Sequence, residues 1–550
     1  MIERQRSFAP VAAWMIVAAC VVTAAAAAGI SYAGADYDSG IYLDLARSLA
    51  TGHGYRHLLL PGAPHGVHFP PLYPAILAPW LAVGPHNGHI MAMVAWAAAL
   101  NRMLIVLAIG LWVAWAVRER LGFWGAAMMG ALAFTPYAAS YSVSLYAEPL
   151  CWALLGGAAL CLSGVSDRSR AAVRDYGHRA VRSDGSSAPR ASESGVVRAA
   201  CRATALLLLA LLPLARTALL PFALAAAYWL WRDRGTPAWR RAPGVLLVLA
   251  PTLAWVVWGA VHAHEIPVAW RLDYGPYLAV VRAAHFSIGD WIHLAGRKFT
   301  SGLIGLGLAI PPIAWGGVLA GAALGSPFSR VRTLWPLALG ALGSVLALAA
   351  WPAVQTRFYA AILPVVLAIG AAGMPGFLER DRRAARRRIG ALPWVALGAL
   401  TIGWLALVAR GHVGGTRAMR AMTAPDSALV TWIRARPEDT PIAAEREPEL
   451  ALRSGHAIYP AGALDPRSAL DRTPYLRFPL TESLCMAARG WLLVSDTAGA
   501  LGAAWRALAA RADSPVSFAT PERVGERGEA VMFTCRSAPV SSPHSPATIH

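Results

Sequence analysis

The chain has 550 residues, 57% of them hydrophobic and only 14% charged, where ordinary soluble domains carry about 25% charged residues. Its formal net charge is +19, yet the arginines cluster in short segments between apolar runs and form no single basic domain. This argues against a nucleic-acid-binding protein, marks the basic residues as topology signals, and places the chain among integral membrane proteins.

The first apolar run, residues 8–30, follows Arg4 and Arg6. It has about the 20 residues needed to cross the hydrocarbon, longer than the core of a cleaved signal peptide, so it reads as the first span. Residues 31–88 follow as a long outside loop holding Asp36, Asp38, Asp44, His53, His65 and His68, and ending in Phe69-Pro70-Pro71-Leu72-Tyr73-Pro74. Within it Ile41, Leu45 and Leu49 recur at helical spacing, with Asp44, Arg47 and Ser48 on another face and Gly52 and Gly54 closing the segment. The pattern predicts a short amphipathic helix lying along the membrane surface, with Asp38 at its N-terminal end. The prolines predict extended backbone around His65 and His68, which gives those histidines no helical metal-ligand spacing.

Further apolar stretches near residues 89–117, 123–138, 146–164, 203–216, 217–231, 244–262, 301–323, 334–351, 358–377 and 391–409 bring the expected number of spans to about eleven. With the N-terminus cytoplasmic, the inside loops hold Arg118 and Arg120, the arginines of 168–202 and 232–241, Arg330 and Arg332, and the arginines of 380–388. The outside loops hold far fewer, as the positive-inside rule requires, and an odd number of spans leaves the C-terminus outside. The expected location is a bacterial-type inner membrane. Residues 166–202, rich in Ser, Arg, Gly and Asp without apolar period, are expected to form a flexible cytoplasmic insertion.

From residue 413 the composition turns globular. A polar helix is expected at 427–436, with strands at 441–444, 491–495 and 530–535 between helical stretches. The expected architecture is thus an all-α polytopic membrane bundle over residues 1–412, followed by a small extracytoplasmic α/β domain over 413–550. Cys20, Cys151 and Cys161 fall in spans and Cys201 at the cytoplasmic edge, leaving Cys485 and Cys535 in the outside domain, where a disulfide between them is predicted and two buried thiols are the alternative.

Chemistry concentrates in the first outside loop. Asp38 is either a helix cap or a carboxylate that takes a proton, or holds a metal or polar ligand, at the membrane–water boundary; Asp36 shares both readings. Near the outer ends of spans stand Glu148-Pro149, Arg216 and Arg357, ionisable groups that belong in a protein interior or cavity. Arg357 suits the bidentate grip of a phosphate, or an interfacial anchor. Arg102, mid-span beside Asn101, needs a partner or water. A divalent metal, if present, would fall to Asp36 and Asp38.

The run Asp38-Ser39-Gly40-Ile41-Tyr42-Leu43-Asp44-Leu45-Ala46-Arg47, then Gly52-His53-Gly54-Tyr55 and Pro70-Pro71-Leu72-Tyr73-Pro74, resembles the first loop of the polytopic GT-C glycosyltransferases. The likeness is to the branch of protein O-mannosyltransferases, aminoarabinose transferases and lipopolysaccharide-core sugar transferases. Ala147-Glu148-Pro149-Leu150, Leu214-Ala215-Arg216-Thr217 and Arg357-Phe358-Tyr359-Ala360-Ala361-Ile362-Leu363-Pro364 resemble its later landmarks. Ser39 stands where relatives often have a second acidic residue, and Thr217 where they usually have proline. The resemblance implies a polyprenyl-phosphate sugar donor and transfer to a hydroxyl of a glycan, lipid or protein acceptor at the outer face. Asp38 would be the base and Arg357 would meet the departing lipid phosphate, with inversion at the anomeric carbon. Tyr42, His68, Glu148 and Arg216 would line the cavity. The rival readings are a polytopic transporter or lipid flippase, whose paired inverted halves are not visible in the sequence, and an inactive relative.

Overall fold

In a computed structural model of the chain, residues 37–84, 90–179, 191–232, 237–277, 288–310, 334–349, 356–373, 428–461, 480–526 and 528–536 are described, with a few single positions between them. Asp36, the span at 10–30 and most of the span at 391–409 lie outside the described residues.

Helix α1 (Tyr37–Ala50) is stopped by a backbone reversal in which Gly52 and Gly54 adopt φ of +80° and +79°, a region glycine enters freely. The Ser48 hydroxyl donates to the Gly54 carbonyl at 2.8 Å and ties the reversal to the helix. The expected surface helix is not what forms. Ile41, Tyr42, Leu43, Leu45 and Ala46 are buried, but so are Asp44 and Ser48 from the supposed polar face, and Arg47 alone in that stretch stays exposed. The C-terminal part of the chain covers the face that a membrane surface was expected to leave wet.

The backbone around His65 and His68 is non-helical, as the prolines predict. After Pro71 the chain forms helix α2 (Leu72–Ala82), in which Pro74 falls in the first turn, where its missing N–H has no intrahelical role, and Pro79 lies inside.

Helices α3 (Ile90–Arg118), α4 (Glu148–Arg179) and α5 (Ala191–Ala215) pack in succession, and α6 (Leu220–Trp231) packs on α7 (Ala238–His262) and on α9 (Leu334–Ala349). Helix α8 (Ile288–Ala309) packs against α9 and against the 3₁₀ turn Thr356–Ile362. Among the described residues, Ala92–Arg118, Val196–Ala215 and Arg241–Glu265 are long and apolar enough to cross a membrane, with shorter apolar helices beside them. Leu246, Leu247, Leu253 and Val257 on α7 point outward, as side chains facing lipid do. The span expected at 123–138 is broken into the helix Gly122–Gly130, a 3₁₀ turn Ala131–Phe134 and the helix Pro136–Tyr141. Of the insertion expected at 166–202, residues 180–190 lie outside the described residues. Residues 166–179 continue α4 and 191–202 begin α5, since alanine and arginine sustain a helix past the apolar region.

The C-terminal region holds a six-stranded mixed sheet of β1 (Ile442–Ala444), β2 (Tyr459–Pro460), β3 (Arg489–Val494), β4 (Val516–Phe518), β5 (Glu522–Val524) and β6 (Gly528–Cys535). The order is β2-β1-β3-β6-β4, with β5 also on β6; β1 runs parallel to both β2 and β3, and the β6 pairings are antiparallel. Alternation along the strands splits the core. Leu492, Val494, Val531 and Phe533 gather with Trp505 on one face, while Ile442, Ala444, Leu493 and Ala530 join the large core that contains α1. Cys485 and Cys535 are disulfide-bonded, with Cα atoms 5.6 Å apart. Helix α10 (Glu447–Ser454), between β1 and β2, is the piece that meets α1.

Candidate active site

Asp38 lies in the first turn of α1. Its carboxylate reaches the 3₁₀ turn, where Arg357 Nη2 lies 2.7 Å from Asp38 Oδ2. The Arg357 guanidinium also lies 5.0 Å from the centre of the Tyr146 ring and 5.7 Å from that of Phe358. A second ion pair stands beside the first. Glu148, first residue of α4, is fully buried and accepts from Arg216, at the break between α5 and the 3₁₀ turn Thr217–Leu219. Arg216 lies 4.7 Å over the same Phe358 ring, so one aromatic ring stands near both guanidiniums.

Residues outside the expected set hold this frame. Ser39, buried behind Asp38, accepts from the Leu145 backbone N–H at 3.0 Å, giving the residue that replaces the family's second acid a structural task. Asn101 donates to the Ser144 and Tyr146 carbonyls at 2.7 and 3.2 Å and accepts from the Tyr73 hydroxyl at 2.8 Å, which fixes the segment that brings Tyr146 under Arg357. Arg102 finds its partner in the Ser142 carbonyl, 3.1 Å away.

Tyr42 is buried edge-on against Phe69 and Tyr73, with ring centres 5.3 and 5.0 Å apart. His68 donates from Nδ1 to the Gly275 carbonyl at 2.7 Å and stacks on Tyr277 at 4.4 Å. Burial pushes His68 down from 6.5 to about 4, so the ring is neutral at pH 7 with its proton on Nδ1. Burial raises Tyr277 to about 12, while the charges of Arg216, Asp38 and Arg357 all act on it. Tyr277 therefore belongs to the site, although nothing in its Pro276-Tyr277 context singles it out.

His65 goes elsewhere. Its Nδ1 lies 2.7 and 2.8 Å from the two Glu265 oxygens, its backbone N–H donates to the same carboxylate at 2.9 Å, and His262 Nδ1 lies 2.9 Å from it. His65, His262 and Glu265 can present ligand atoms within 4.8 Å of one another, a set of two imidazoles and a carboxylate that suits a divalent ion such as zinc. Among the described residues no such group includes Asp38.

No protein-family model matches the sequence, and no curated protein matches it either. Solved structures do. Apo ArnT from Cupriavidus metallidurans matches with a TM-score of 0.50 and 15% identity, covering 96% of this chain and 98% of its own. The apo oligosaccharyltransferase of Archaeoglobus fulgidus matches with a TM-score of 0.50 and 13% identity, covering 88% of this chain and 69% of its own. A structure of the same ArnT bound to undecaprenyl phosphate matches with a TM-score of 0.48 and 16% identity over 94% of this chain and 97% of its own. At such identities the likeness is one of fold, over nearly the whole of ArnT and most of the oligosaccharyltransferase.

Proposed function

We propose that the chain moves a sugar from a polyprenyl-phosphate donor to an acceptor hydroxyl at the outer face of the membrane, with Asp38 as the general base. The observation that carries this reading is the pairing of Asp38 with Arg357 beside a second buried carboxylate–arginine pair, on a fold shared with ArnT and an oligosaccharyltransferase. A static salt bridge would leave the base idle. The donor's phosphate offers Arg357 a better bidentate partner than one carboxylate, so donor binding draws the guanidinium away and frees Asp38.

The acceptor oxygen then attacks the anomeric carbon as its proton passes to Asp38. The bond from that carbon to the phosphate oxygen breaks, and its electron pair leaves with the lipid phosphate, whose charge Arg357 and Arg216 meet. A single in-line displacement inverts the anomeric centre. Neutral His68, with Nε2 as its acceptor, together with Tyr42 and Tyr277, lines the sugar side, and Glu148 holds Arg216 in place.

In this reading residues 1–412 form the membrane transferase, with the N-terminus cytoplasmic, and 413–550 an extracytoplasmic domain. A divalent ion held by His65, His262 and Glu265 would supply charge neutralisation and a cross-link between the first loop and the end of α7. The sugar transfer itself needs no step at that ion.

The test is turnover. Membranes containing the protein, given labelled polyprenyl-phosphate sugars, should release polyprenyl phosphate and label an acceptor. A flippase would instead move intact donor between leaflets with no release, and that outcome would overturn the proposal.

A further inference from the structure

The face of α1 opposite its site-facing turn is occupied by the C-terminal region at very close range. A Cβ added to Gly40 would lie 2.8 Å from Pro448 Cβ, closer than real side chains pack, so glycine is required for α10 to seat where it does. Beneath this contact is a cavity lined by Ile41, Asp44, His57, Leu59, Tyr274 and Glu447. Asp44, His57 and Glu447 are each at most 2% exposed. Asp44 Oδ2 lies 3.6 Å from His57 Nδ1 and 3.5 Å from the Leu59 backbone nitrogen, while Asp44 Oδ1 and His57 Nε2 are buried with no hydrogen-bond partner among the described residues. From the other side the Tyr274 hydroxyl donates to Glu447 at 2.9 Å, the Tyr274 ring stands edge-on to His57 at 5.1 Å, and the Ile458 N–H donates to the Leu59 carbonyl at 3.1 Å.

Such burial of two carboxylates is costly, and an apolar filling would dock the two parts more cheaply. What the polar set adds is register. Tyr274 is followed by Gly275, whose carbonyl fixes His68, and shortly afterwards by Tyr277, which stacks on His68. One buried carboxylate of the C-terminal region thus touches the chain segment that shapes one wall of the site, while its neighbour Pro448 sets the distance to the helix that carries Asp38.

We propose that Glu447 is a positioning residue for sugar transfer, acting through Tyr274 and through the seating of α10 on α1, so that the C-terminal region is a working part of the active site. This rests on Asp38 being the base. Glu447→Gln keeps an oxygen to accept the Tyr274 hydroxyl and should turn over near the parental rate. Glu447→Leu should lower kcat by about 10²-fold, the scale of a displaced catalytic geometry, with donor Kd within about threefold because Arg357 and Arg216 stand apart from the junction. Gly40→Ala should lower kcat likewise, and Pro448→Gly added to it should restore most of the rate by removing the Cβ it meets.

All variants are assayed as full-length protein in membranes, per mole of protein that retains donor binding, with Asp38→Asn in parallel. Parental kcat in donor-binding Glu447→Leu and Gly40→Ala while Asp38→Asn is inactive overturns the positioning role alone. An equal loss in Glu447→Gln and Glu447→Leu also overturns it, because the contact to Tyr274 would not be what matters. An active Asp38→Asn protein overturns the catalytic reading on which it rests.

Discussion

Helix α1 carries two aspartates six residues apart whose surroundings differ in kind. Asp38 is partly open and faces a guanidinium at 2.7 Å, with a second arginine pair alongside. Asp44 is closed off from solvent and faces a histidine at 3.6 Å, and among the described residues no arginine lines its cavity. Burial raises the Asp44 carboxyl above its ordinary range, with His57 and the Leu59 N–H pulling the other way. In the proposed reaction the first environment leaves a carboxylate within reach of a ligand that competes for its partner. The second locks a carboxylate between two parts of the fold. One helix therefore has an anchoring side and an end that we propose reacts.

The largest expected effect on the frame around Asp38 comes from breaking the neighbouring pair. Glu148→Leu leaves Arg216 buried without its carboxylate and should destabilise the fold by about 3–5 kcal/mol, whereas Glu148→Leu with Arg216→Leu should recover much of that loss. Thermal unfolding in detergent measures both, and equal stability of the single and double variants would show that the two residues do not act as a pair.

The anchoring side should respond to pH in a definite direction. A carboxyl whose folded pKa is raised contributes stability that is full below its unfolded value and is lost as pH rises through the folded value. Stability should thus fall as pH rises through the Asp44 titration, and Asp44→Asn should flatten that part of the profile. His68 works oppositely. Its folded pKa of about 4 lies below 6.5, so its contribution is full above pH 6.5 and is lost as pH falls toward 4. Stability measured over that interval should fall with pH, and His68→Gln should remove that part of the dependence. The smallest expected effect is at the far end of the loop, where Glu265→Gln weakens the bonds from His65 and His262 and should cost about 1–3 kcal/mol with kcat nearly unchanged.

How much of this was legible in the sequence follows the same division. Asp38, Arg357, Glu148, Arg216, Tyr42 and His68 were named from motifs and from charges at span ends, and the fold brings all six to one place. Their pairing was not legible, because partners such as Asp38 and Arg357 lie more than three hundred residues apart and local pattern carries no distance information of that kind. The anchoring side was misread outright. Asp44 and Ser48 looked like a wet face because helical periodicity reports polarity, and only the packing of Pro448 on Gly40 shows that polar residues there meet protein. Glu447, Tyr274 and Tyr277 gave no signal, since each earns its place from neighbours far along the chain.

The most direct measurement is transfer by Asp38→Asn, because asparagine is close to aspartate in size and shape but cannot take the proton. If Asp38 is the base, the variant folds and still binds labelled polyprenyl-phosphate sugar while transfer falls by about 10²–10⁴-fold. A folded Asp38→Asn protein that transfers sugar at the parental rate would contradict that role.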